Sequence, residues 1–313
     1  MQDFIFIVLG LTLLILGGNW LLKSAVALSL RLNVSKIVIG LTVVSFATSA
    51  PELIVSINAA LDGSPDLALG NVVGSNIANL GLVLGVTVLL SNIKVERSFY
   101  TTDWPVMMIA SALFIGFIYF DSTLEQYEGI ILVVFLIAFL VYLLRFQKNE
   151  VDLDEVSDDD IPLSAIKIIL FLIIGGVALW GGSELLVNGA KAMAQSFGVS
   201  ERIIGVTVVS IGTSIPELAA SIIAIVKKEK AISLGNLIGS NIFNILAVLG
   251  ITSIITPINV VDEGLLTNDI YWMLGISFLV LPLIVLPKRM RLSKLEGLIL
   301  LALYISFVYL TIK

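Results

Sequence analysis

The sequence contains neither cysteine nor histidine among its 313 residues. The absence of cysteine excludes disulfide bonds and thiolate metal sites. The absence of histidine removes the commonest metal ligand and the usual proton shuttle near neutral pH. Soft metal ions therefore have little to bind, whereas oxygen-seeking ions such as Na⁺, Ca²⁺ and Mg²⁺ still have hydroxyl, amide and carboxylate ligands.

Charged residues are scarce as well, at 13% of the chain against 58% hydrophobic residues, and the mean hydropathy is +1.06. These values exclude an ordinary soluble domain and are typical of a polytopic protein embedded in a lipid bilayer. The net charge of −6 comes mostly from loops, so it indicates no nucleic-acid partner. We expect no enzymatic activity and no cofactor, because no nucleophile stands beside a base.

Long apolar runs dominate what remains. A spanning helix needs about 20 mostly apolar residues, and ten segments qualify, so the sequence predicts an all-α membrane protein with ten transmembrane helices. The predicted spans are 4–22, 38–61, 67–90, 104–120, 127–146, 164–187, 203–226, 232–256, 269–287 and 295–312.

One hydrophilic segment divides the spans into five and five. Residues 147–163 read QKNEVDLDEVSDDDIPL and contain seven acids. We therefore predict a first five-helix unit in 1–146, an acidic cytoplasmic linker in 147–163 and a second five-helix unit in 164–313.

The basic residues predict the orientation. If the N-terminus lies outside, 15 of the 18 lysines and arginines fall in inner segments, and only Lys191, Arg202 and Lys313 fall outside. The positive-inside rule therefore predicts an N-out, C-out protein. Because five is odd, the second unit enters the membrane in the opposite direction to the first. Inverted repeats of this kind are typical of secondary transporters, which bind their substrates near the midplane.

The two units also share an internal sequence repeat. Residues 40–85 align with 205–250 at a constant offset of 165, without a gap, and 24 of the 46 positions are identical. Each copy places one glutamate, Glu52 or Glu217, inside an apolar span. Ionisable residues within a membrane are costly and mark function by default. Two of them at equivalent positions of a repeat indicate one shared site.

The second predicted span carries hydroxyl groups beside its glutamate. Ser45, Ser49 and Glu52 are spaced i, i+4 and i+7, and Thr48 lies four residues before Glu52, so all share one helical face. Pro51 removes a backbone donor and frees a carbonyl about one turn earlier. The second copy repeats the pattern with Ser210, Thr213, Ser214, Pro216 and Glu217.

The third predicted span carries a polar stripe. Asn71, Ser75 and Asn79 are spaced i, i+4 and i+8, and the eighth span repeats them as Asn236, Ser240 and Asn244. Two carboxylates with hydroxyl, amide and carbonyl oxygens suit hard cations, since Ca²⁺ takes 6–8 oxygen ligands. Two facing carboxylates repel each other unless a divalent ion, several monovalent ions or protons neutralise them. The pattern therefore favours exchange of one divalent ion against several monovalent ones.

These motifs resemble the alpha-repeats of the sodium/calcium exchanger family, within the calcium/cation antiporters. The matching pieces are Thr48-Ser49-Ala50-Pro51-Glu52 with Gly74-Ser75-Asn76-Ile77-Ala78-Asn79, and Thr213-Ser214-Ile215-Pro216-Glu217 with Gly239-Ser240-Asn241-Ile242-Phe243-Asn244. The short linker resembles prokaryotic members, which implies a multi-pass protein of a prokaryotic cell membrane.

The resemblance implies the role of each site residue. Glu52 and Glu217 are expected as shared central ligands of Ca²⁺ and Na⁺. Thr48, Thr213, Ser45 and Ser210 are expected to offer carbonyls, and Ser49, Ser75, Ser214 and Ser240 to ligate the outer Na⁺ positions. Asn79 and Asn244 are expected to flank the middle position. The first and sixth spans are implied to slide across a core of the second, third, seventh and eighth.

The expected activity is exchange of Ca²⁺ for Na⁺ by alternating access. Some relatives carry aspartate where this chain has Asn244, so the present site holds one fewer potential charge, and K⁺ dependence is less expected. A Ca²⁺/H⁺ antiporter stays open as the first alternative. A cation channel is the second, although a channel needs neither an inverted repeat nor a counter-ion.

Overall fold

A computed structural model describes residues 2–146, 163–196, 210–260, 262–286 and 290–312. Almost all of the acidic linker predicted at 147–163, and the first part of the span predicted at 203–226, lie outside these residues. The described chain is mostly helical. The helices are α1 (Gln2–Leu32), α2 (Lys36–Thr48), α3 (Ala50–Leu61), α4 (Pro65–Leu90), α5 (Phe99–Asp121), α6 (Gln126–Phe146), α7 (Ala165–Ser196), α8 (Ile215–Val226), α9 (Lys230–Ile255), α10 (Leu265–Val285) and α11 (Lys294–Ile312).

Among the described residues, eight helices are long and apolar enough to cross a membrane. The pair α2 and α3 makes a ninth span if it is counted as one, with a bend of 43° between its parts. The helix α8 is the described part of the seventh predicted span, preceded by a single helical turn at Ser210–Gly212. The described parts of all ten predicted spans contain helix, with non-helical residues at Ser49, at 213–214 and at some span ends, and eight or nine of these parts qualify as membrane spans.

The helices α1 and α7 are longer than predicted, with 31 and 32 residues. At 1.5 Å per residue each is roughly 46–48 Å long, which exceeds the about 30 Å of a bilayer core. The prediction ended these helices where polar residues reappear, at Lys23 and Asn188. The helices continue because long basic side chains can extend to the interface without interrupting a helix.

The helices α4 and α9 form the centre of the molecule. In their most apolar windows 78% and 83% of residues are buried, whereas the other six spans reach only 22–33%. Both central helices therefore face protein on nearly every side, and the outer helices take the contacts with lipid. Buried apolar residues of α4 and α9, such as Leu69, Leu80, Leu237 and Leu246, belong to one continuous core.

The helices α1 and α7 pack backbone to backbone through glycines. A Cβ atom added at Gly17 would lie 2.9 Å from the carbonyl oxygen of Gly175, and one at Gly10 would lie 2.7 Å from that of Gly182. Only glycine permits so close an approach at these positions. The positions obey the repeat, since Gly10 and Gly175, like Gly17 and Gly182, are 165 residues apart.

Two short antiparallel ribbons join loops of the two halves. The strand β1 (Ile93–Lys94) pairs with β4 (Arg291–Leu292), and β2 (Thr123–Leu124) pairs with β3 (Ile258–Asn259). The first ribbon links the α4–α5 loop to the α10–α11 loop, and the second links the α5–α6 loop to the α9–α10 loop. These contacts hold the ends of the central helices in place.

Candidate cation-binding site

The interruption that Pro51 predicts lies at Ser49. This residue has φ −88° and ψ 1°, the helix α2 ends just before it, and α3 begins just after it with the proline in its first turn. Ser214 has φ −89° and ψ 2° and precedes α8 in the same way. Both glutamates therefore lie in the first turn of a helix, where the positive end of the helix dipole favours negative charge.

The two carboxylates are buried at the centre of the protein. Glu52 and Glu217 have no exposed surface, and they are close enough to interact electrostatically. None of their four oxygens has a partner in full hydrogen-bond geometry among the described residues, although the Thr48 and Ser240 hydroxyls lie near the Glu217 carboxylate. A charged side chain at the centre of a membrane helix costs about 2.5–3.5 kcal/mol on insertion scales, so the two together need to be neutralised, either by bound cations or by protons.

Hydroxyl groups of one half meet polar groups of the other. The Thr48 hydroxyl donates to Oδ1 of Asn236 at 3.1 Å and lies 3.3 Å from the Ser240 hydroxyl. The hydroxyls of Ser75 and Thr213 lie 3.2 Å apart. These two threonine–serine pairs are related by the offset of 165, so the structure brings the equivalent residues of both repeats together at one place.

Four asparagines form a cross-linked group beside the carboxylates. Asn79 Nδ2 donates to Oδ1 of Asn241 at 3.1 Å, and Asn244 Nδ2 donates to Oδ1 of Asn76 at 3.0 Å. Asn79 and Asn244 each begin a π-helical turn, a widening of the helix that is frequent at functional sites. Both side chains are fully buried.

Half of the buried polar side-chain atoms that lack a hydrogen-bond partner among the described residues follow the repeat. Eight oxygens of this centre have no hydrogen-bond partner within the described part of the chain. They are both carboxylate oxygens of Glu52 and Glu217, Oγ of Ser49 and Ser214, and Oδ1 of Asn79 and Asn244. Buried polar groups are normally hydrogen-bonded, and all eight of these oxygens can coordinate a cation. An oxygen-rich set of this kind suits Na⁺ or Ca²⁺.

The remaining predicted site residues differ in their surroundings. The Ser45 hydroxyl lies within hydrogen-bond distance of the carbonyls of Gly40 and Asn236, at 2.7 and 2.9 Å, and so braces α2 against α9. Ser210 begins a helical turn, but its side chain lies outside the described residues. Asn71 donates to the backbone carbonyl of Glu52 at 3.3 Å and supports the start of α3.

Sequence reasoning gave no role to Asn76 and Asn241, although the structure places both beside the candidate ligands. The signal was available, because the motif G-S-N-x-x-N occurs in both repeats at 74–79 and 239–244. By helical spacing Asn76 lies off the face that carries Asn71, Ser75 and Asn79, so a prediction from that face does not include it.

The apolar helices define a multi-pass membrane protein, and its family follows from comparison with known proteins. The chain belongs to the sodium/calcium exchanger family, since the family model for sodium/calcium exchanger protein matches residues 3–145 and 167–313.

Two relatives match nearly the full length. The chain is 39% identical to the putative antiporter CaxA of Alkalimonas amylolytica over 313 residues, which covers 98% of this chain and 97% of CaxA. It is 32% identical to the sodium/calcium exchanger MaX1 of Methanosarcina acetivorans over 348 residues, with 98% and 97% covered.

The fold is also that of a solved exchanger. The sodium-calcium exchanger NCX_Mj, soaked with zero Na⁺ and Ca²⁺, superposes with a TM-score of 0.82 at 28% identity, with 98% of each chain covered. The family and this structural match support exchange of Na⁺ for Ca²⁺.

Proposed function

We propose that the protein exchanges Ca²⁺ for Na⁺ across the membrane by alternating access, with the ions bound between Glu52 and Glu217. The observation that carries this proposal is the pair of fully buried carboxylates, whose oxygens have no partner in full hydrogen-bond geometry among the described residues. One Ca²⁺ neutralises both carboxylates, and so do two or more Na⁺ ions. Ca²⁺ and Na⁺ therefore bind as alternatives, because they compete for the same negative charge.

The ligands in this proposal are the twelve residues predicted from the repeats. The carboxylates of Glu52 and Glu217 serve every bound ion, and the Ser49 and Ser214 hydroxyls and the Asn79 and Asn244 amide oxygens complete the shell. Ser75, Ser240, Thr48, Thr213, Ser45 and Ser210 supply hydroxyl or carbonyl oxygens around it. The pairing of equivalent residues from both halves supports this assignment.

The proposed architecture is ten spans in two inverted units, 1–146 and 164–313, joined by a cytoplasmic linker at 147–163, with both termini outside. Three contacts support it. The β1–β4 ribbon joins loops that the charge pattern assigns to the inside, and the β2–β3 ribbon joins loops that it assigns to the outside. The ion pair of Lys36 with Glu229, at 2.9 Å, joins two further inner segments.

The proposed moving part is the glycine-packed pair α1 and α7, which slides across the core of α2, α3, α4, α8 and α9. The site lies in that core, so the ligands stay together while access changes. A bacterial relative and an archaeal one support a prokaryotic cell membrane as the location.

The test is Ca²⁺ uptake into proteoliposomes that contain the purified protein and are loaded with Na⁺. The vesicles are diluted into Na⁺-free buffer with Ca²⁺, while buffer and a protonophore clamp the pH on both sides. Uptake that depends on the outward Na⁺ gradient is the expected result. In vesicles without the protonophore, uptake that an imposed proton gradient drives and a Na⁺ gradient does not would identify a Ca²⁺/H⁺ antiporter. Flux that needs no counter-ion would identify a channel.

A further inference from the structure

Asn76 and Asn241 are tied to each other through backbone carbonyls. Asn76 Nδ2 donates to the carbonyl oxygen of Asn241 at 3.2 Å, and Asn241 Nδ2 donates to that of Asn76 at 3.2 Å. A backbone carbonyl can only accept a hydrogen bond, so the nitrogen of each side chain must face it. The Oδ1 atom of each side chain therefore faces the opposite way.

A second contact of each nitrogen agrees with this orientation. Asn76 Nδ2 lies 3.9 Å from Sδ of Met273, and Asn241 Nδ2 lies 3.9 Å from Sδ of Met107. A thioether sulfur is a weak acceptor and never a donor. Both N–H bonds of each amide thus have an acceptor, and each Oδ1 is left to accept.

The orientation is passed on to the next pair of asparagines. Oδ1 of Asn76 accepts from Nδ2 of Asn244, and Oδ1 of Asn241 accepts from Nδ2 of Asn79. If Asn244 were flipped, its oxygen would face the oxygen of Asn76 and its NH₂ group would point to the cation. Such a flip replaces a hydrogen bond by two opposed acceptors and turns a ligand into a repulsive group.

We infer that Asn76 and Asn241 are positioning residues, each of which fixes the amide orientation of the candidate ligand in the other half. Asn76 aims the oxygen of Asn244 at the ions, and Asn241 aims that of Asn79. This inference rests on the proposed function. What it specifies is that each positioning residue acts on a ligand of the other half, because each of the four hydrogen bonds joins α4 to α9.

A purely structural role for Asn76 and Asn241 is the rival explanation, and a crossed rescue separates the two. Aspartate has two equivalent carboxylate oxygens, so its orientation cannot be reversed by a flip. N244D should therefore rescue N76A, and N79D should rescue N241A. The mismatched combinations N76A/N79D and N241A/N244D carry the same residue types but should not be rescued.

The readout is Ca²⁺ affinity of the purified full-length protein in detergent, measured by titration of its thermal stability with Ca²⁺. N76A and N241A should each weaken the Ca²⁺ affinity about tenfold. Each variant removes the hydrogen bond that orients the amide of Asn244 or Asn79, so that this amide can turn its NH₂ group toward the cation. Because aspartate adds charge, rescue is measured as coupling in a double-mutant cycle against N244D or N79D alone. The expected coupling is about tenfold in matched pairs and under about twofold in mismatched pairs.

Equal coupling in all four pairs, or none in any, would overturn the inference. If N76A or N241A does not fold, N76S and N241S take their places in the same design. Absence of Ca²⁺ binding to the unmodified protein would instead count against the proposed function, so the two failures are distinguishable.

Discussion

The hydroxyls of Ser75 and Thr213 lie 3.2 Å apart, and those of their repeat equivalents, Ser240 and Thr48, lie 3.3 Å apart. Each pair joins α4 or α9 to the broken span of the other half. The two halves therefore supply the centre in nearly equal measure, and a change in one half should have a counterpart in the other.

Replacing either buried glutamate by glutamine should stop exchange. E52Q and E217Q each remove half of the negative charge that holds the cations, so Na⁺-driven Ca²⁺ uptake should fall by at least about 100-fold. Uptake into proteoliposomes measures the effect, and gel filtration in detergent checks the fold.

The matched control is E128Q. Glu128 is also a buried carboxylate, but it accepts a hydrogen bond from the backbone N–H of Glu125 at 2.9 Å, at the start of α6. Glutamine can accept the same bond, so transport should be retained. Normal transport by either E52Q or E217Q would contradict the proposal that the ions bind between these two carboxylates.

Replacing Pro51 by alanine should weaken the site without weakening the fold. Alanine restores an N–H that can bond to the carbonyl of Ala47, and a bonded carbonyl is less available to a cation. We expect P51A to keep its melting temperature in detergent and to lose about tenfold in Ca²⁺ affinity.

P216A is the partner experiment in the second repeat. The same loss of affinity should follow, because Ser214 has the same backbone conformation as Ser49. Unchanged Ca²⁺ affinity in both variants would show that the helix breaks contribute shape and no ligands.

Adding one methyl group between α1 and α7 should destabilise the protein. The new Cβ of G17A would lie 2.9 Å from the carbonyl oxygen of Gly175 and 2.9 Å from Cβ of Ala178. Such overpacking costs roughly 1–3 kcal/mol, which thermal unfolding in detergent can detect. G116A on α5 is the control, since no described atom outside its own stretch of helix lies within 4 Å of the position that its added methyl group would take. Equal melting temperatures for the two variants would contradict the close contact.

The proposed topology can be tested by thiol labelling, because the natural sequence is free of cysteine. Lys94 and Asn259 are exposed residues of β1 and β3. In right-side-out vesicles, a membrane-impermeant maleimide should label N259C from outside and should reach K94C only after the membrane is opened. Labelling of both from the same side would refute the inverted arrangement.

Apolar runs and Pro51 predict the spans and the interruption at Ser49, because hydropathy and a missing backbone donor act locally. The bond between Asn76 and Asn244 has no local signal, since it depends on how α4 crosses α9. The extension of α1 to Leu32 is missed for another reason, because hydropathy ends a span at the first charged residue, Lys23, whereas the helix itself continues. Residue types and their repetition thus predict the members of the proposed site, and the contacts between the halves follow only from the structure.

The glycine contacts between α1 and α7 have a mechanical consequence. They hold the two helices together at two points of a long crossing, at Gly10 with Gly182 and at Gly17 with Gly175. A displacement of one helix therefore carries the other with it, so that the pair moves as one rigid body. If the pair is the moving part, as proposed, and covers one entrance as it uncovers the other, both entrances cannot be open at once. Protection against ion leak would then depend on the backbone contact between α1 and α7. It would not require two separate gates that open and close in a fixed order.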